Sequence, residues 1–152
     1  GMYFAHFGLA IFILGASISE NNKIEKEFVL ELGESATIGL FDYKLDSLRE
    51  LKATNYNAII ASVIVSKDNQ VITEIQPEKR LYHSSESPMT EAGIHARLDR
   101  DLYVSLGNMI DDNKWSLRVY DKPFIRFIWI GTIFMVIGSI FSIRFKKKKH
   151  YE

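Results

Sequence analysis

Two apolar stretches frame this chain and restrict what it can become. Residues 1–19 contain no Asp, Glu, Lys or Arg, and residues 124–143 contain a single charge, Arg126. At about 1.5 Å per residue, a 19-residue helix spans about 28 Å, close to the hydrocarbon thickness of a bilayer. The expected organisation is a transmembrane helix over 1–19, a soluble domain over 20–122, a second transmembrane helix over 123–143 and a basic tail over 144–152. A secretory signal is the rival reading of the first stretch, but a signal wants a basic leader, and none precedes the apolar run. Pro123 is expected in the first turn of the second helix. Trp129 and Arg126 suit a position near lipid headgroups.

The overall charge of zero conceals an asymmetry. Residues 20–122 hold 13 basic and 18 acidic side chains, a net of −5. An acidic middle argues against nucleic acid as a partner. The tail carries Arg144 and Lys146 to Lys149 directly after an apolar run. The positive-inside tendency then puts the tail in the cytoplasm and the middle domain on the outer side. A chain that opens inside an apolar helix reads as a segment of a longer protein. There is no cysteine, which removes disulfides, thiolate metal sites and cysteine nucleophiles.

Period-two alternation dominates the middle. Phe28, Leu30 and Leu32 share one face, and the pattern continues through Ile38, Leu40, Tyr43 and Leu45 as an Ala36–Leu45 segment. Strands are expected over Tyr56–Val65, Val71–Ile75 and Trp115–Tyr120, with Glu78–Tyr82 extending the second arm of a hairpin that turns at Lys67-Asp68-Asn69-Gln70. Thr90–Arg97 reads as a short helix capped by Thr90. Asp111-Asp112-Asn113 reads as a turn. The predicted class is a mainly β extracytoplasmic domain, a small antiparallel barrel or sandwich, flanked by two transmembrane α-helices.

His6 is the residue that most asks for a chemical reason. Ionisable groups inside membrane helices usually face a protein interior or a cavity. An axial haem ligand, a proton relay and a histidine hydrogen-bonded to a neighbouring helix all remain open from the residues alone. His83 and His95 flank Glu86 and Glu91, but their spacing matches no zinc pattern. His150 lies among lysines and reads as solvated. No phosphate loop, nucleophile elbow or basic-aromatic patch is present.

Ordered blocks run along nearly the whole chain: Gly1-Met2-Tyr3-Phe4-Ala5-His6-Phe7-Gly8, Pro77 to Tyr82, Pro88-Met89-Thr90-Glu91-Ala92, Arg100 to Gly107, Trp115 to Tyr120, Lys122-Pro123-Phe124 and Ile128-Trp129. In this set the chain resembles the C-terminal end of the bacterial CcmF family, the haem-lyase component of cytochrome c maturation. The resemblance implies a polytopic protein of the bacterial inner membrane, with the middle domain periplasmic. Such a protein attaches haem to apocytochrome c, receives that substrate haem transiently from the haem chaperone CcmE, and works with a CcmH-type subunit. It further implies a haem b with two histidine ligands. His6 matches one of that pair, and the second comes from helices upstream. The family's tryptophan-rich haem-handling motif also lies upstream, so this segment alone is not expected to be catalytic. Phe127 and Ser139 depart mildly from the family pattern in the second span. For the middle domain the expectation is docking or structural support, with Met89, Thr90, Glu91, Arg100, Asp101 and Tyr103 as interface or capping candidates. The competing reading is a two-span adaptor or sensor that presents a β-domain without catalysis.

Overall fold

The computed structural model describes residues 1–111 and 113–148. Both apolar ends are helical. Helix α1 runs Met2–Asn22 and helix α2 runs Ile125–Lys148. Each is long and apolar enough, by length and composition, to cross a bilayer. Asn21 and Asn22 send their side-chain amides back to the Ser17 and Ile18 carbonyls, both at 2.9 Å, and the chain is extended by Lys23. Pro123 ends a strand rather than starting α2, and Phe124 makes the turn with φ +56°. Within α2 the Thr132 and Ser139 hydroxyls donate to the carbonyls four residues earlier, so neither polar group stays unsatisfied in an apolar helix.

The two helices pack antiparallel along small residues. Gly1, just before α1, and Ala5, Gly8, Phe12 and Gly15 of α1 meet Ser142, Gly138, Met135, Gly131 and Phe127 on α2. Gly8 and Gly15, like Gly131 and Gly138, are one heptad apart, the spacing that keeps a seam on one face of each helix.

Among the described residues, ten strands form the middle unit: β1 Ile24–Glu31, β2 Ser35–Ile38, β3 Phe41–Lys52, β4 Tyr56–Lys67, β5 Gln70–Ile75, β6 Glu78–Tyr82, β7 Met89–Glu91, β8 Gly93–Ala96, β9 Arg100–Asp111 and β10 Lys114–Pro123. They make a four-stranded sheet, β1-β10-β9-β8, and a second sheet, β2-β3-β4-β6-β7, with β5 also on β4. The two sheets enclose a core that includes Leu30, Ile38, Tyr43, Leu45, Val63, Val65, Leu102, Leu106, Trp115 and Leu117. This is the sandwich alternative of the predicted class.

Asp68 and Asn69, both at positive φ, form the two-residue turn between β4 and β5, where such turns match strand twist. β6 continues along β4 beyond Pro77, whose carbonyl accepts from Ala61 N–H at 3.0 Å. Three expectations are corrected. The Ala36–Leu45 segment is two strands, because Gly39 at φ +58° reverses the chain, and Leu40 sits exposed in that turn. Leu32 lies just past β1 and is also exposed. Thr90–Arg97 is not a helix. Met89–Glu91 ladders onto Glu78–Arg80, and Gly93–Ala96 onto Asp101–Val104, so two sets of sheet hydrogen bonds outweigh one short helix with a costly nucleus. Of the expected Asp111–Asn113 turn, Asp112 lies outside the described residues, as do His150 and the end of the basic tail.

Candidate functional site

His6 sits one turn into α1, exposed, while the buried residues of that helix are Gly8, Gly15 and Ser19 on the α2 side. At about 100° per residue, His6 points away from the glycine seam. Its Nδ1 lies 2.9 Å from the Met2 carbonyl. A carbonyl only accepts, so the bond requires the proton on Nδ1 and leaves the lone pair on Nε2. That is the tautomer and backing bond typical of a metal-bound imidazole. His6 would thus have Nε2 available to hold a metal ion. Among the described residues no group of three His, Asp or Glu side chains gathers into a further metal site. His83 lies in the turn after β6 and His95 on β8 opposite Leu102.

On the sandwich, outward positions of β1, β9 and β10 build a polar groove of about 490 Å³, edged by Pro88 and Thr90. Ser116 is 4% exposed although it points outward, because Gly107 leaves room only for its hydroxymethyl; a Cβ on Gly107 would lie 2.8 Å from Ser116 Oγ. The hydroxyl donates to Glu27 Oε1 at 2.5 Å, and Arg118 Nη2 donates to Oε2 at 3.0 Å. These two bonds, Ser116 first, hold the Glu27 carboxyl below its ordinary pKa. Such a carboxylate is a poor proton acceptor, so the Ser116–Glu27 pair is suited to recognition rather than to nucleophile activation. Tyr120 packs edge-on to Tyr103 with centroids 5.1 Å apart. The Tyr120 phenol is raised above its ordinary pKa, first by its hydrogen bond with Glu25 and then by burial.

Beside this groove lies a more apolar cleft of about 680 Å³, with Leu51, Ile59, Leu81, Met109 and Trp115 in its walls. Lys79 lines both hollows. It donates to the Gly107 carbonyl at 2.9 Å and to Asn108 Oδ1, and burial lowers its pKa. Arg80 stacks over the Tyr56 ring at 5.0 Å and pairs with Glu78 at 2.8 Å and Glu91 at 3.7 Å. Its pKa is raised, chiefly by Glu78.

The six candidates on this side divide. Thr90 and Tyr103 line the polar groove together. Met89 is exposed on β7, and Glu91 is a partner of Arg80. Arg100 pairs with Asp99, and Asp101 ladders with Ala96. Sequence reasoning did not single out Glu27, Ser116, Arg118 or Lys79. The available signal was the alternation of Ser116, Arg118 and Tyr120 with the apolar Trp115, Leu117 and Val119.

Comparison with known proteins adds a second line. Residues 21–123 match the family model described as the CcmF C-terminal beta-sandwich. The chain is 44% identical over 140 residues to the cytochrome c-type biogenesis protein CcmF of Haemophilus influenzae, covering 92% of this chain and 22% of that protein. It is 34% identical to the protein of the same name from Escherichia coli over 97% of this chain and 23% of the relative. A solved structure named cytochrome c haem lyase CcmF superposes with TM-score 0.72 at 18% identity, over 90% of this chain and 23% of that one. The likeness to that structure speaks for the fold. The chain thus spans about a fifth of the length of the relatives it matches.

Proposed function

Because this chain belongs to the CcmF family, as its C-terminal β-sandwich with both flanking helices, we propose that it is a C-terminal part of a haem lyase that joins haem to apocytochrome c. Its relatives carry the name of cytochrome c biogenesis. In this reading α1 and α2 span the bacterial inner membrane and the sandwich lies in the periplasm. Arg144 and Lys146 to Lys149, directly after the apolar stretch of α2, support that orientation.

His6 is the residue of this segment that would hold a haem b, and a second histidine would come from the upstream part of the protein. The observation that carries the reading is the His6 Nδ1–Met2 carbonyl bond on a helix face turned away from α2. It fixes the ring and leaves Nε2 as the donor. When bound, such a haem supplies a one-electron couple, suited to keeping substrate haem iron reduced. This chain's own residues orient the imidazole, hold its proton on Nδ1 and bring the helix close to its neighbour.

The test is His6→Ala in the full-length protein. Loss of the bis-imidazole absorption bands and of cytochrome c assembly is expected. An unaltered spectrum would overturn the ligand role.

The sandwich serves as a docking surface, through the groove of Thr90, Tyr103, Tyr120 and Ser116. Haem chaperone CcmE, the CcmH-type subunit and apocytochrome c are the candidate partners, by family. Alanine at Thr90 and Tyr103 should weaken pull-down of at least one of them. Full retention of all three sinks the docking role.

A further inference from the structure

Arg97, Leu98 and Asp99, which join β8 to β9, and Arg100, the first residue of β9, cluster with the helix pair and not with the rest of the sandwich. One backbone bond attaches them: Phe124 N–H donates to the Asp99 carbonyl at 2.8 Å. Phe124 is the residue at which the chain leaves β10 for α2, and its ring packs edge-on to Phe127 with centroids 5.3 Å apart. The loop closes on itself through Arg97 N–H to the Arg100 carbonyl at 2.9 Å. It is therefore a built feature at the start of α2.

Its charges are arranged around one carboxylate. Asp99 Oδ1 accepts from Arg97 Nε and Oδ2 from Arg100 Nε, each at 3.0 Å. Burial alone would raise the Asp99 pKa; the bonds from Arg100 and Arg97 outweigh it and hold the carboxyl below its ordinary value. Two guanidinium groups thus flank the Asp99 carboxylate, and the side chains of Arg97, Asp99 and Arg100 together carry one net positive charge. Arg97 engages Asp99 only through Nε, so its terminal N–H groups make no hydrogen bond among the described residues. Leu98, between the arginines, is 70% exposed.

The same end of the helix pair is basic and aromatic. Gly15 packs on Phe127, so the last turns of α1 and the first turn of α2 lie together. Lys23 ends α1, and Lys122 and Arg126 bracket the start of α2, with Trp129 exposed one turn on. With Arg97 and Arg100 they make a group of five basic side chains, which has Glu20, Asp99, Asp101 and Asp121 next to it in sequence. An exposed leucine flanked by arginines is poorly placed in water and well placed where acyl chains meet headgroups. Basic side chains and tryptophan at the end of an apolar helix have that same preference.

We propose that the Arg97–Arg100 loop is a phospholipid-headgroup site, in which Leu98 enters the acyl boundary and Arg97 binds the phosphate of an anionic lipid. A guanidinium suits this ligand, because its planar fork matches phosphate oxygens two at a time. The proposal rests on the membrane-spanning reading of α1 and α2.

The absence of cysteine gives a direct test. Leu98→Cys and, separately, Ile13→Cys in mid-α1 each give the whole chain one site for a small environment-sensitive dye. The labelled chain is reconstituted in vesicles of phosphatidylcholine, with or without phosphatidylglycerol, containing nitroxide lipids. The Leu98 label should shift to the blue and be quenched by shallow nitroxides, more strongly with phosphatidylglycerol. Arg97→Gln should abolish that lipid-dependent gain, and inorganic phosphate should not reproduce it. If the Ile13 label is quenched by deep nitroxides while the Leu98 label stays in water, the loop proposal fails and the spans stand. Leu98 embedding that ignores both phosphatidylglycerol and Arg97→Gln, or a response reproduced by free phosphate, overturns lipid recognition. An Ile13 label untouched by deep nitroxides removes the spans, and the loop site with them.

Discussion

Gly8 of α1 and Gly131 of α2 face each other backbone to backbone: a Cβ built on either would lie 2.6 Å from the carbonyl oxygen of the other. The helix pair is thus closed to side chains at this level, and its attraction comes from close main-chain packing. Gly131→Leu should force the helices apart and destabilise the pair by about 1–3 kcal/mol, the usual cost of overpacking. Thermal unfolding in detergent, followed by helical circular dichroism, reads this. A wild-type midpoint in Gly131→Leu would show that the seam contributes nothing.

The Glu27 carboxyl carries a pH signature. Its folded pKa lies below the ordinary 4.5, through Ser116 and then Arg118. The unfolded chain therefore binds the proton first as pH falls. The stability this carboxylate contributes is complete above about pH 4.5 and is lost as pH drops through the lower folded value. Glu27→Gln should lower stability at neutral pH and flatten the acid limb of the stability curve. Asp99 and Glu74 are shifted the same way, so some acid slope will remain. An acid limb in Glu27→Gln as steep as wild type contradicts the role given to the Ser116 and Arg118 bonds.

The turn at Asp68-Asn69 holds two non-glycine residues at φ +51° and +62°. Asn69→Gly should stabilise the sandwich by about 0.5–1 kcal/mol by relieving that backbone cost. At Gly39 the sign reverses. Gly39→Ala places a methyl at φ +58° and 3.4 Å from Ile24 Cδ1, and should cost about 1 kcal/mol. Amide hydrogen exchange of β2 to β5 distinguishes the two, and equal protection in both variants would contradict the assignment.

Leu40 and Leu45 belong to one alternating pattern in the sequence but have opposite surroundings. Leu45 is fully buried between the sheets, whereas Leu40 is 59% exposed. Leu45→Ala should cost about 2–5 kcal/mol and Leu40→Ala under about 0.5 kcal/mol, measured by denaturant unfolding. Similar losses in the two variants would mean that Leu40 is covered by something other than water.

That pair shows where the sequence was legible. The Asp68-Asn69 turn could be read because its residues tolerate positive φ and stand between two β-branched runs. The Gly39 reversal could not, because Ile38 and Phe41 flank it with apolar residues that keep the alternation going. Thr90 and Glu91 carry the signature of a helix start, yet long-range ladders decide their state, and no local pattern records what Glu78–Arg80 will pair with. His6 stood out by residue type alone, while the direction of its ring depended on which face the glycines claim. The groove was least legible, since Glu27 and Ser116 meet across 89 positions of chain.

The first and last strands of the sandwich are hydrogen-bonded neighbours, with Ile24 opposite Asp121. The doorway by which the chain comes in is therefore also the one by which it goes out, about 5 Å wide. Two adjoining helical rods need only a short bridge to span such a gap. Because the two ends of the β-unit lie side by side, a brief turn in its place should leave the rods paired.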